Sequence, residues 1–137
     1  MRGAFALAAV LLAGPAAADT LTSFHTPSGN IHCMGIEGAD GTFVDCEILQ
    51  RNDSSPLRSR PADCDLEWGD RFTVSSTGPA SLACHGDTVQ DPNGAVLPYG
   101  QAFRFGPIAC SATEQGLTCQ NASGHGFFLS RATQQLF

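Results

Sequence analysis

The six cysteines of this 137-residue chain are its clearest candidates for chemistry, because a thiolate can bind a metal, exchange electrons or pair in a disulfide. No two of them have the C-x-x-C spacing of a thioredoxin-like redox site. Each has an aliphatic residue two positions away, and residues i and i+2 of an extended chain point to the same face. The spacing therefore predicts three buried disulfides whose sulfurs face a core. The cysteines are Cys33, Cys46, Cys64, Cys84, Cys110 and Cys119.

Histidines and carboxylates are the other residues that could bind a metal. A zinc site would have to be assembled from distant segments, because no two histidines share a helical face. Asp63, Asp65 and Glu67 project to one face of an extended segment, but a calcium loop would need its glycine one position earlier. If Cys64 and Leu66 face a core, these three acids face water. We therefore expect neither a metal site nor a cofactor. The histidines are His25, His32, His85 and His125.

The motifs of common catalytic sites are absent from the sequence. It has no H-E-x-x-H, no G-x-S-x-G and no G-x-x-x-x-G-K-[ST], and the complete lack of lysine excludes Schiff-base chemistry. One enzymatic alternative stays open, a small cell-envelope hydrolase that uses a histidine and a carboxylate as acid and base. His125 and Asp87 are the residues to test for it.

Four residues are candidates for contact with a binding partner. An aromatic ring with a polar tip suits a half-wet ligand groove, which points to Tyr99 and the adjacent Gly100. His125 stands between two glycines that allow close backbone approach, and Arg131 follows the same apolar segment. The structural alternatives are a large residue at the edge of the core for Tyr99 and a tight bend at His125.

The charge balance limits the possible partners. Seven basic residues face thirteen acidic ones, which gives a formal net charge of −6 at pH 7. Nucleic-acid binding needs clustered cations that displace counterions from phosphate, and most of the arginines here are scattered. We expect no nucleic-acid partner and a monomeric protein. An unknown envelope protein or glycan is the expected partner.

The N-terminal residues have the organisation of a secretion signal. The chain begins Met-Arg, continues with an apolar run over residues 4–13, and then has a Gly-Pro pair ahead of three alanines. This pattern predicts a signal peptide over residues 1–18 and a single disulfide-rich β domain over residues 19–137. The apolar run is too short to span a bilayer, so we expect no membrane insertion after cleavage. The predicted location is the periplasm or the external medium.

The rest of the sequence has a pattern of short strands and turns. Apolar and polar residues alternate in short runs between clusters of glycine, proline and asparagine, and no convincing amphipathic helix occurs. We expect an all-β fold, a small disulfide-stapled antiparallel β domain built from consecutive hairpins, as a sandwich or a partly open barrel. A polar loop is expected at 50–63, a glycine-rich connection at 35–41 and one turn of helix at 132–137. The predicted strands cover residues 21–25, 31–34, 43–48, 71–75, 81–85, 102–105, 108–111, 117–120 and 127–130.

Hairpin geometry favours disulfides between cysteines on neighbouring arms. Six cysteines allow many pairings, so other connectivities stay open, above all for the middle pair. The favoured pairs are Cys33 with Cys46, Cys64 with Cys84, and Cys110 with Cys119.

Three segments carry a resemblance to a known family. They are FHTPSGNIHC at 24–33, LPYG at 97–100, and GLTCQN at 116–121 followed by GHGF at 124–127. In this order they resemble an uncharacterised family of exported bacterial proteins, domain of unknown function 6636, over essentially the whole mature chain. The resemblance implies a periplasmic or secreted bacterial protein and supplies no activity and no functional residue. We therefore expect a non-catalytic binding or recognition module of the bacterial envelope, with the hydrolase as the alternative.

Overall fold

The computed structural model describes residues 3–6, 8–15 and 18–137. Residues 1, 2, 7, 16 and 17 of the predicted signal peptide lie outside the described residues. Residues 3–6 and 8–15 are exposed and belong to no strand. The part of the chain that the structure describes has no helix with the length and apolar character to cross a membrane. Its strands are β1 (Thr20–His25), β2 (Ile31–Gly38), β3 (Gly41–Ile48), β4 (Arg71–Ser75), β5 (Ser81–Leu82), β6 (Ala95–Val96), β7 (Ala102–Phe105), β8 (Ile108–Thr113), β9 (Gly116–Gln120), β10 (Gly126–Leu129) and β11 (Gln134–Leu136).

These strands form an open sandwich of two sheets. The first sheet has the order β5-β4-β3-β2-β1-β6 and the second has the order β11-β10-β9-β8-β7. Neighbouring strands are antiparallel except β1 and β6, which run parallel. Side chains alternate across each sheet, so one row from each sheet fills the core between them. Phe24 stacks on Phe105 there, and Phe72 packs on Phe127. The all-β, disulfide-stapled expectation is confirmed, and the sheets are open and do not close into a barrel.

Two of the three disulfides lie in this core and contact each other. Cys33 and Cys46 are directly opposite on β2 and β3 and are bonded to each other. Cys110 and Cys119 have the same arrangement on β8 and β9. Cys46 Sγ lies 3.9 Å from Cys119 Sγ, and all four residues are fully buried. Each disulfide therefore clamps one hairpin, and the contact between them joins the two sheets. Both pairs are those that hairpin geometry favours.

The third disulfide, between Cys64 and Cys84, is also a favoured pair but lies outside the core. Cys64 is buried, whereas Cys84 is exposed to solvent. The expectation that every cysteine sulfur faces a core is therefore wrong at Cys84. The predicted strand at 81–85 ends early, because β5 stops at Leu82. Beyond that residue, the alternation of an extended strand no longer sets the direction of a side chain.

The last residues form a strand, and the expected turn of helix at 132–137 is wrong. β11 pairs with β10, and Phe137 exchanges two backbone hydrogen bonds with Gly126 at 2.9 and 3.0 Å. Pairing at a sheet edge satisfies these backbone groups, whereas an isolated turn of helix is costly to nucleate.

The expected glycine-rich connection at 35–41 is also mostly strand. β2 continues through Gly35 to Gly38, and only two residues turn the chain into β3. Gly35 faces the second sheet, where a Cβ atom would overlap the ring of Phe105. The glycine is therefore needed for the close approach of the two sheets and not for a turn.

The connection from β5 to β6, residues 83–94, crosses the outer face of the first sheet, and we call it the crossing segment. β5 and β6 lie at opposite edges of that sheet, whose inner face is covered by the second sheet. Thr88 and Val89 in the crossing segment donate hydrogen bonds to Glu47, which points away from the core. Val89 is buried by this contact. Neither β6 nor this crossing was expected from the sequence.

Candidate functional site

The crossing segment covers a cluster of charged side chains, which we call the buried charge cluster. Glu47 and Arg71 lie directly opposite each other on β3 and β4, and both are buried. Arg71 Nε and Nη2 donate to Glu47 Oε1 at 3.1 and 2.5 Å. Arg71 Nη1 donates to Asp87 Oδ1 at 2.9 Å. Thr88 Oγ1 and the Val89 N–H donate to Glu47 as well, at 2.7 and 3.1 Å. The buried carboxylate is therefore both paired and fully hydrogen-bonded.

His85 belongs to the same cluster, and its surroundings favour its charged form. Its Nδ1 lies 2.6 Å from the Asp87 carbonyl oxygen, and its Nε2 lies 2.8 Å from Asp70 Oδ1. Both partners are acceptors, so the charged ring, with a proton on each nitrogen, can donate to both. Burial by itself would lower the pKa of His85, but the hydrogen bonds to Asp70 and Asp87 outweigh it and raise that pKa. Neither nitrogen is free to take a proton from a substrate. His85 and its hydrogen bonds therefore contribute to the stability of the fold.

The buried charge cluster is not visible from the sequence. Strand alternation can place Glu47 and Arg71 on the outer face of neighbouring strands, and that is the one available signal. His85 and Asp87 reach the cluster because the crossing segment folds back over the sheet. This contact joins distant parts of the chain, which no local pattern shows.

The turns at one end of the sandwich surround a polar groove of about 320 Å³, which we call the end groove. It is bordered by the β1–β2 turn, the β8–β9 turn, the segment before β7 and the loop after β10. Two of the expected contact residues, Tyr99 and Arg131, line it together. Glu114 contributes a carboxylate. The hydroxyl and amide side chains of the lining are those of Thr26, Ser28, Asn30, Thr113, Gln115 and Ser130.

The floor of the end groove is fixed by hydrogen bonds of the β1–β2 turn. Asn30 is buried, and its Oδ1 accepts the Gln50 N–H at 2.9 Å while its Nδ2 donates to the Gln50 carbonyl at 3.1 Å. Ser28 Oγ accepts the Asn30 N–H at 3.2 Å, and Thr26 Oγ1 accepts the Ile31 N–H at 3.4 Å. A surface that is already ordered loses less conformational entropy when a ligand binds.

The backbones of Tyr99 and Arg131 are anchored while their side chains stay open. Gly100, at a φ of 79°, donates its N–H to the Ala112 carbonyl at 2.8 Å and so holds the turn that carries Tyr99. The Arg131 carbonyl accepts the Asn52 N–H at 2.8 Å. Tyr99 is 45% exposed. Within the described residues, neither the Tyr99 hydroxyl nor the Arg131 guanidinium has a hydrogen-bond partner. Gly100 supports the groove and does not line it.

His125 lies in a different place, a pocket of about 440 Å³ that we call the edge pocket. The pocket is at the open side of the sandwich where β5 and β11 are the outermost strands. Trp68, Leu136 and Phe137 give it an apolar lining, and Arg58 lines it with His125. The structure therefore divides the four expected contact residues between two surfaces.

The histidine and carboxylate of the hydrolase alternative do not meet. His125 lines the edge pocket, whereas Asp87 pairs with Arg71 on the outer face of the first sheet. The hydrogen bond and the charge of Arg71 hold the pKa of the Asp87 carboxyl below its usual value, which does not suit a general acid.

The described residues also contain no group of three or more histidine, cysteine, aspartate and glutamate side chains arranged to hold a metal. Asp63, Asp65 and Glu67, the acids of the calcium alternative, are all exposed.

Fold and surfaces together define a small β-sandwich with a disulfide-linked core and an open polar groove among the turns at one end. The model of a family of unknown function, DUF6636, matches residues 6–137, and the chain belongs to this family. No curated protein and no solved structure matches the chain. Segments 24–33 and 97–100, which carry the family resemblance in the sequence, both contribute to the end groove. The family has no assigned activity, so the function has to be argued from the surfaces.

Proposed function

We propose that this protein is a non-catalytic binding module of the bacterial envelope, in the periplasm or outside the cell, and that the end groove binds its ligand. One observation carries the proposal: the exposed ring of Tyr99 and the open guanidinium of Arg131 line the same preordered polar groove. Three disulfides indicate an oxidising compartment, and the apolar leader of the sequence supports export to it.

The ligand that fits this lining best is a glycan that carries a carboxylate. The face of an aromatic ring packs against the apolar face of a sugar, and its hydroxyl stays in the polar part of the site. The planar fork of Arg131 matches a carboxylate with two parallel hydrogen bonds. Hydroxyl, amide and carboxylate side chains such as Ser28, Gln115 and Glu114 can bond the sugar hydroxyls. The volume of about 320 Å³ is in the range of small-ligand sites.

An NMR titration with two matched sugars tests this proposal. N-acetylmuramic acid carries a carboxylate that N-acetylglucosamine lacks, and glucuronic acid is a second carboxylated probe. We expect the carboxylated sugars to bind more tightly than N-acetylglucosamine. Arg131→Gln removes a charge-assisted contact of about 1.5–3 kcal/mol and should weaken their binding about tenfold or more. Tyr99→Ala should weaken binding of all three sugars.

The matched control is Arg104→Gln, which removes an exposed arginine on β7 that does not line the end groove. We expect this variant to bind like the unmodified protein. The proposal is wrong if none of the sugars binds, or if Arg131→Gln and Tyr99→Ala bind as well as Arg104→Gln. Appearance of cleaved products with a longer cell-wall fragment would instead support the hydrolase.

A further inference from the structure

The edge pocket lies where both sheets of the sandwich end on the same side. β5 is the outermost strand of the first sheet there, and β11 is the outermost strand of the second. Residues of both strands line the pocket, and none of its lining residues lines the end groove. It is therefore a separate surface, and its use does not depend on the proposed function.

The outer side of β11 presents unpaired backbone groups. In an antiparallel pair, residues that exchange two hydrogen bonds alternate with residues whose N–H and C=O point away from the partner. Phe137 exchanges two hydrogen bonds with Gly126, so Leu136 and Gln134 turn their N–H and C=O groups outward. Within the described part of the chain, these outward groups have no backbone partner.

The edge of β5 is oriented in the same way. Ala83 donates its N–H to the Arg71 carbonyl at 2.9 Å, so Leu82 turns its own N–H and C=O away from β4. Leu82 and Leu136 both line the edge pocket. β11 has neither a charged residue nor a proline, two of the means by which proteins protect an exposed edge, although its length of three residues limits the pairing it offers. An edge of this kind can accept a short further strand.

The side chains of the edge pocket select what such a strand would carry. Trp68, Leu136 and Phe137 offer an apolar surface for one bulky side chain. Arg58 and His125 are the ionisable side chains of the lining, and no aspartate or glutamate side chain lines the pocket. Arg58 therefore gives the lining a fixed positive charge, on a chain with a formal net charge of −6. Acidic residues beside the bulky side chain would complement it.

We propose that the edge pocket binds an extended peptide segment of another protein, which adds as a strand beside β11. The segment places one large apolar side chain against Trp68 and acidic side chains near Arg58. Its backbone pairs with the outward N–H and C=O groups of Gln134 and Leu136, and this pairing supplies affinity while the pocket supplies specificity.

Trp68 is the only tryptophan of the chain, so its fluorescence reports on the edge pocket directly. We would titrate the protein with the capped peptide Glu-Val-Phe-Val-Glu and follow Trp68 emission. A capped Lys-Val-Phe-Val-Lys peptide tests charge. In an antiparallel pair with β11, the residue whose side chain enters the pocket is also the one whose N–H faces β11, so Glu-Val-Phe-Val-Glu with an N-methyl group on the Phe nitrogen removes that backbone donor. We expect a blue shift with the first peptide, weaker binding of the second and loss of binding with the third. Exchange of the Gln134 and Leu136 amides should slow in the first complex.

Two variants separate the charge contribution from the backbone contribution. Arg58→Gln should weaken binding of the acidic peptide about fivefold and leave the fold intact, since Trp68 Nε1 bonds the Arg58 backbone carbonyl. Gln134→Pro removes an outward N–H that β10 does not use, so it should abolish binding, and Gln134→Ala, which loses only the side-chain bond from Nε2 to the Ser130 carbonyl, is its matched control and should bind normally. Arg104→Gln is the control for loss of an arginine elsewhere.

The proposal is wrong if Trp68 emission is the same with and without the acidic peptide, or if all three peptides bind equally. It is also wrong if Trp68 emission shifts with protein concentration alone and ultracentrifugation shows a dimer, because the occupant is then a second copy of this chain. If Arg58→Gln and Arg104→Gln bind the acidic peptide equally well, the proposed preference of the edge pocket for acidic side chains is wrong. None of these outcomes tests the proposed binding of sugars by Tyr99 and Arg131, because the edge pocket and the end groove share no lining residue.

Discussion

Replacement of Arg71 by methionine should be among the most damaging single changes in this protein. Arg71 donates two hydrogen bonds to Glu47, whose side chain is only 2% exposed. Methionine fills a similar volume but leaves the carboxylate buried without a cation, with only the donors from Thr88 and Val89. Breaking a buried ion pair from one side costs about 3–5 kcal/mol. That is a large fraction of the free energy of unfolding of a small domain.

The other partner of Arg71 provides a matched comparison in the same structure. The Asp87 side chain is 80% exposed, so water replaces its contact with Arg71 when it is changed. We expect Asp87→Asn to leave the melting temperature nearly unchanged. The double variant Glu47→Gln with Arg71→Met removes both buried charges, and it should recover much of the stability that Arg71→Met loses.

Urea unfolding with the disulfides intact measures these differences. Trp68 fluorescence follows the transition, and the free energy of unfolding of each variant is extrapolated to water. If Arg71→Met lowers the free energy of unfolding by less than about 1 kcal/mol, the reasoning is refuted, because that is what an exposed ion pair contributes. An equal loss for Asp87→Asn and Arg71→Met would refute it too, because burial would then have no effect.

Two further predictions concern pH and the disulfides. The pKa of His85 is raised in the folded protein, so the folded state binds the imidazole proton more tightly than the unfolded state does. The stabilisation that charged His85 gives the fold is therefore complete below the unfolded pKa of about 6.5, and it is lost as pH rises through the folded pKa. Melting temperatures should therefore fall with rising pH more steeply in the unmodified protein than in His85→Gln, and equal slopes would contradict this. Loss of Cys33 and Cys46, as a double alanine variant, should lower stability more than loss of Cys64 and Cys84, although the latter pair closes the longer loop, 20 residues against 13. In the chain-entropy model, closing either loop contributes about 3 kcal/mol, and removal of the buried Cys33–Cys46 sulfurs also leaves a cavity that costs about 1–2 kcal/mol. A lower urea midpoint for the variant without Cys64 and Cys84 would show that the contact between the two core disulfides is unimportant.

Most strands were accessible from the sequence because they depend on local alternation, and the favoured disulfide pairs followed from the hairpins that neighbouring strands form. Cys33, Cys46, Cys110 and Cys119 lie in regular strands, and residues two apart there share a face. The same rule fails at Cys84, because the strand has already ended and local spacing no longer fixes the direction of a side chain. Strand ends are set by pairing partners, which the sequence does not show.

The surfaces were accessible only in part, because they depend on which turns meet. Tyr99 was a candidate by residue type, His125 because two glycines flank it, and Arg131 because it follows the same apolar segment. Tyr99 and Arg131 meet in the end groove because of the order of strands in the two sheets, whereas His125 lies in the edge pocket. The buried charge cluster was missed because the crossing segment brings His85 over the sheet from a distance.

The most direct test of the binding function uses the single tyrosine of the chain, Tyr99, as a reporter. Incorporation of 3-fluorotyrosine gives one fluorine NMR signal, which comes from the ring of Tyr99 in the end groove. We expect N-acetylmuramic acid to shift this signal, with the shift retained in Arg104→Gln and much smaller at the same sugar concentration in Arg131→Gln. An unchanged Tyr99 signal with every carboxylated sugar, or an equal shift in both arginine variants, would contradict this expectation.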